Sequence, residues 1–156
     1  MEKNPEIFLK IKLDNTRSFK DLSEGERLFN ERKIKESLEF FKIAEKECNL
    51  FKNSYYTVTG IATVGLGLPL AKLILSDSID PLYKGLAHCY FWSEDYINSI
   101  VYFDKISKKD FTDYYIEAWA NYKIGNIEKA KDLYLRSKKQ QPELAGYSVP
   151  IDWTTK

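Results

Sequence analysis

Residues 119–142 read WANYKIGNIEKAKDLYLRSKKQQP, and Gly125 divides them into two helical halves. After the glycine, Ile127, Ala130, Leu133, Tyr134 and Ser137 recur at steps of three and four, which is one face of a helix. Before it, Tyr115, Ala118, Trp119 and Tyr122 do the same. Lys138 and Lys139 fall where a last helical turn favours positive charge, and Pro142 stops the run. The stretch predicts two antiparallel helices joined at a glycine turn.

The pattern occurs elsewhere in the chain. Residues 86–106, LAHCYFWSEDYINSIVYFDKI, fall into register 31 residues earlier: Ala87 on Ala118, Phe91 on Tyr122, Tyr96 on Ile127, Ser99 on Ala130 and Phe103 on Tyr134. Residues 25–46, GERLFNERKIKESLEFFKIAEK, repeat it 62 residues before that, with Gly25, Phe29, Ile34, Ser37 and Phe41 in the same places. A small residue in the first helix lets two helices approach. The small residue in the second helix (Ser37, Ser99, Ala130) admits a partner side chain, and the aromatic four later fills the space between hairpins. Such self-similarity marks a repeat architecture.

These residues resemble the tetratricopeptide repeat, over residues 20–47 and 82–142. The resemblance implies an all-α stack of about four antiparallel helical hairpins in a right-handed superhelix, one of them degenerate. In this single domain the hairpins are expected at 19–47, 50–78, 82–109 and 112–142, with residues 5–18 as an N-terminal cap and 143–156 as a C-terminal tail. The family's repeat is about 34 residues, so the 31-residue step between the last two copies implies a trimmed link around Lys108-Lys109-Asp110. Arg32 and Glu94 stand where the last copy has its turn glycine.

The bulk properties agree with a folded chain. It has 156 residues, enough for one domain with its own core, and 44% hydrophobic against 30% charged residues argues against disorder. A net charge of +1 gives no footprint for nucleic acid. The start, MEKNPEIFLK, is not a secretory signal. Cys48 and Cys89, without metal-ligand spacing, suggest a reducing, cytoplasmic setting.

Residues 48–81 have room for the degenerate hairpin. Pro69 would open its second helix, and Asp80-Pro81 would close it and start the next. The 19 uncharged residues 53–71 are also about as long as a membrane span, so a membrane-tethered adaptor with a span near 53–75 is the rival reading. Three glycines, a proline and three threonines in that stretch speak against it. Gly60 and Gly65 have phosphate-loop spacing, but Leu66 and Gly67 replace the Lys and Ser/Thr the loop needs.

Chemistry is sparse. His88 is the single histidine, so any His-based catalytic device must use it. Its neighbour Cys89 points about 100° away on a helix. The acids Glu36, Glu39, Glu45 and Glu47 are expected on solvated faces, and Glu31 to pair with Lys35. No catalytic residue, metal or cofactor is expected. Stacked hairpins form a concave surface lined by their first helices. By register that surface carries Leu22, Glu26, Phe29 and Asn30, then Lys84, His88, Phe91 and Trp92, then Tyr115, Trp119, Tyr122 and Lys123. Of these, the last eight are the expected partner-binding residues. The resemblance implies a non-catalytic adaptor that binds another protein, through a peptide or helix, in an aromatic groove; a small secretion-type chaperone is one version. Leu22 and Glu26 replace the lysine and asparagine of the family's carboxylate clamp, which disfavours a partner held by its C-terminal carboxylate.

Overall fold

The computed structural model describes the backbone of residues 17–62 and 67–141 and the side chains of residues 20–49 and 79–141. The expected tail lies outside these residues, as does the expected cap apart from residues 17 and 18, which begin the first helix. Within them the chain is all helical: α1 (Arg17–Asn30), α2 (Ile34–Ala62), α3 (Gly67–Trp92), α4 (Tyr96–Phe103), α5 (Phe111–Lys123) and α6 (Ile127–Gln140). Each helix packs on the next, and α1 also touches α3, as α3 touches α5.

Three of the reversals are one structure written three times. Arg32, Glu94 and Gly125 all sit in the left-handed region, at φ 61°, 63° and 85°. At each, the residue's amide donates to the carbonyl three back: Arg32 to Phe29 at 2.9 Å, Glu94 to Phe91 at 3.0 Å and Gly125 to Tyr122 at 3.0 Å. The following amide donates five back: Lys33 to Leu28, Asp95 to Tyr90 and Asn126 to Asn121, each at 2.9 Å. These bonds satisfy carbonyls that a helix end leaves open. The second helices then open alike, with Ser37, Ser99 and Ala130 donating to Lys33, Asp95 and Asn126.

The small positions also recur in space. Ser37 Oγ donates to the Gly25 carbonyl at 2.7 Å, and Ser99 Oγ donates to the Ala87 carbonyl at 2.9 Å. In the third copy Ala118 and Ala130 are both buried without a hydroxyl. The small residue in the second helix thus meets the partner's backbone; the sequence reading had it admitting a side chain. The aromatic four later is buried as Phe41 and Phe103, while Tyr134 is half-buried against Tyr115. Phe41 leaves no space for a Cβ on Gly25 or Gly85, where one would come within 2.8 and 2.5 Å of its ring. Phe103 packs with Ala87, Ile106 and Ile116.

The middle of the chain departs from expectation. No helix ends near residues 47–50 or 78–82: α2 runs 29 residues and α3 runs 26, straight through Pro81. Residues 48–52 contain no glycine or proline, so nothing stops α2 there. Residues 50–62 and 67–78, where the second hairpin is expected, belong to the far halves of these two helices. Asp80 does not close a helix. Its carboxylate accepts from Ser107 N at 3.0 Å, Ser107 Oγ at 2.7 Å and Lys108 N at 2.9 Å, so it pins the link after the short α4. Among the described residues, no helix is long and apolar enough to cross a membrane.

Candidate functional site

The first helices α1, α3 and α5 form one layer. Between α1 and α3 lies a pocket of about 570 Å³. Glu26, Phe29 and Asn30 of α1 line it, with Asp80, Pro81, Lys84, Gly85 and His88 of α3. Lys108 from the link and the Phe41 ring complete the wall.

Behind the α3 side of the pocket stands a charged network. The α5 residues Asp113, Glu117 and Asn121 follow one another at helical steps of four and are all buried. Lys84 Nζ donates to Asp110 Oδ2 at 2.7 Å and to Asp113 Oδ2 at 2.5 Å. Asp110 caps α5: its carboxylate accepts from the Thr112 and Asp113 amides, while Asp113 Oδ2 accepts from the Asp110 amide at 2.9 Å. His88 Nε2 lies 3.4 Å from Asp113 Oδ1, a long contact, and neither atom has a hydrogen-bond partner at closer range. The imidazole is otherwise flanked by the Phe29 and Phe103 rings, at 6.1 and 5.6 Å. Glu117 is held by Lys109 at 2.7 Å, with Lys129 at 3.8 Å.

Burial works against charge on Asp113, but His88, Lys84 and the Asp110 amide outweigh it, so its carboxyl titrates below the usual range. Burial likewise opposes the Lys84 charge, and the hydrogen bonds to Asp110 and Asp113 overcome it, so its ammonium titrates above the usual range. Cys89 turns away from this network. Its Sγ lies 3.4 Å from Ser37 Oγ, and burial pushes the thiol up to about 11 despite that contact. A thiol so shifted is protonated at neutral pH and a poor nucleophile. Among the described residues no group of three or more His, Cys, Asp or Glu side chains is placed to hold a metal ion.

The eight residues singled out from the sequence separate into groups. Lys84 and His88 share the pocket. Phe91 and Trp92 meet edge to face at 5.4 Å at the end of α3, and Phe91 also touches Tyr96. Trp119 and Tyr122 meet edge to face at 6.1 Å near the end of α5, with Lys123 exposed beside them. Tyr115 sits against Tyr134 of α6, so part of its ring is internal. None of the four α5 residues lines the pocket. Trp92 is 60% exposed, whereas Phe91, Trp119 and Tyr122 are half-buried.

Two expectations about acids are corrected. Glu45 is not on a solvated face: it accepts from Tyr102 Oη at 2.7 Å and from Lys105 Nζ at 3.3 Å. Glu31 pairs with Arg27 and Lys33, where a pair with Lys35 is expected. The sequence reading missed Asp113, Glu117 and Asn121. Their spacing of four, on the side of α5 opposite Tyr115, Trp119 and Tyr122, was the available signal. Comparison with known protein families, characterised proteins and solved structures gives no match.

Proposed function

We propose that this chain is a non-catalytic interaction module of the tetratricopeptide-repeat type, which takes a peptide or helical segment of another protein along the layer of α1, α3 and α5. One observation carries this reading. The same hairpin recurs three times, with the same left-handed turn and main-chain bonds, and its first helices touch in order, α1 to α3 to α5. Repeats stacked this way present their first helices as a continuous binding surface. The last turns of α3 and α5 both carry aromatic pairs on that layer, and an exposed tryptophan such as Trp92 is the side chain that most often dominates an interface. A pocket occupies the same layer. The reading requires no cofactor.

The test is capture of partners from the source organism by the wild-type chain and by the Trp92→Ala/Trp119→Ala variant. The variant is expected to lose the captured proteins while keeping its far-ultraviolet circular dichroism. Trp119 is half-buried, so Trp92→Ala alone is the control that disturbs packing least, removing an exposed ring that touches Phe91. Undiminished capture by a folded double variant would overturn the assignment of these residues to the surface.

A further inference from the structure

We propose that residues 143–156 lie in extended form along α5, over Tyr115, Trp119 and Tyr122, and shield α5's share of the partner surface. The docking stands by itself; the shielding rests on the interaction-module reading above. The exit from α6 sets the position. Ser137 Oγ donates to the Phe111 carbonyl at 2.9 Å and Gln140 Nε2 to the Lys109 carbonyl at 3.4 Å, so α6 ends beside the start of α5. One hairpin earlier the chain follows the same path. Ser107 and Lys108, after α4, lie against Asp80, and the chain then re-enters the layer of first helices as α5. Asp80 and Phe111 are one 31-residue step apart. Repetition of that path brings the chain beyond Gln141 to the next place in the layer, beside α5.

The sequence of the segment fits this course. Pro150 stands in its middle, where it would break a helix. Tyr147, Val149, Ile151 and Trp153 alternate with Ser148, Pro150 and Asp152, the period of an extended chain with one apolar face. That face repeats about every 6.6 Å, two extended residues. On α5, the polar side is already engaged, Asp113 by Lys84 and Glu117 by Lys109. The opposite side offers Tyr115, Trp119 and Tyr122, about one ring per 5.4 Å turn. The two repeats are close enough for successive apolar side chains to settle against successive rings. Reach is ample. The 13 residues of α5 make about 20 Å of helix, whereas residues 142–153 span up to about 40 Å when extended.

The experiment is fluorine NMR of the full chain with its 3 tryptophans fluorinated, each resonance assigned by a Trp→Phe variant. Wild type is compared with Val149→Asp/Ile151→Asp. The double variant is expected to shift the Trp119 and Trp153 resonances and leave that of Trp92 in place. A synthetic peptide of residues 143–156, added to the variant, is expected to return the Trp119 resonance saturably, and the same peptide with both aspartates is not. If the double variant loses helicity, Ile151→Ala carries the same comparison. A Trp119 resonance that ignores both the substitutions and the peptide overturns the docking. A wild-type shift that fades on dilution also overturns it, by assigning the contact to a second copy. Capture of partners from the source organism reads the shielding: the double variant is expected to bind them about three to ten times more tightly, as when a competent fraction of roughly 10–30% is raised to all. Equal capture overturns the shielding and leaves the docking standing. Capture by neither chain overturns the module reading alone.

Discussion

Between α1 and α3 the seam is filled by a benzyl ring lying on two glycines; between α3 and α5 the equivalent ring is joined by buried charge. Phe41 sits against Gly25 and Gly85, within a cluster that includes Ala44, Ile79, Leu82, Leu86 and Cys89. Phe103, 62 residues on, occupies the matching position against Ala87 and Ile116, but beside it run Lys84, His88 and Asp113, and further along Lys109 and Glu117. One backbone geometry is therefore stabilised by two chemistries. The packing of Phe41 on the two glycines depends on shape and involves no titratable group. The polar seam depends on its charges being paired, because an isolated buried charge is costly. Position in the repeat fixes where a side chain goes, not what it contributes.

The largest expected effect is on the apolar seam. Phe41→Ala should cost about 3–5 kcal/mol in chemical denaturation, by opening a cavity between α1, α2 and α3. Gly85→Ala should cost about 1–3 kcal/mol because its methyl group meets that ring, and Phe41→Leu in the same chain should recover part of the loss. Additive losses would mean the ring and the glycine are not in conflict. On the polar seam, Asp113→Asn should cost about 2–4 kcal/mol near neutral pH, since it leaves Lys84 with one carboxylate and weakens the His88 contact.

Acid separates the seams more sharply. The Asp113 carboxyl is lowered in the folded chain, so its contribution is fully present above the unfolded value of about 3.9 and fades as pH falls through the lower folded value. Asp113→Asn should remove that part of the acid dependence. Phe41→Ala should shift the whole stability curve downward with its slope unchanged. A parallel shift for both variants would erase the distinction.

Smaller effects probe what the copies share. Ser37→Ala and Ser99→Ala should each cost about 1 kcal/mol, because each removes a buried donor to a carbonyl of the facing helix. Ala130 shows that the fold tolerates the position without a hydroxyl. At the turns, Gly125→Ala should cost about 1 kcal/mol with no steric clash, since nothing lies within 4 Å of the added carbon, while Glu94→Gly should gain about 0.5–1 kcal/mol.

The helical hairpins were legible from the spacing of Gly25, Ala87 and Ala118 against Ser37, Ser99 and Ala130, because helix-to-helix distance permits only small side chains there. The turns were half legible: Arg32 and Glu94 read as departures, yet their backbone adopts the same bend as Gly125. The polar seam was not legible. Asp113 and Glu117 look like surface acids, and only a tertiary partner, Lys84 at 29 residues' distance for Asp113, makes their burial tolerable. Asp80-Pro81 misled in the other direction. As a dipeptide it reads as a turn, but the Asp80 carboxylate is engaged by a distant link and the helix continues through the proline. Of the residues that register sets on the first helices, Lys84 and His88 line one pocket, whereas the two aromatic pairs lie apart from it.

The same two main-chain bonds close all three reversals and neither uses the side chain at the bend, so that side chain is free to change for no more than a small conformational penalty. Substitution can therefore erase the most recognisable letter of each unit without unbending it. A lineage built on such hinges can diverge until its spelling is unfamiliar while its shape is inherited intact, and descent would then be traced through torsion angles rather than through residue names.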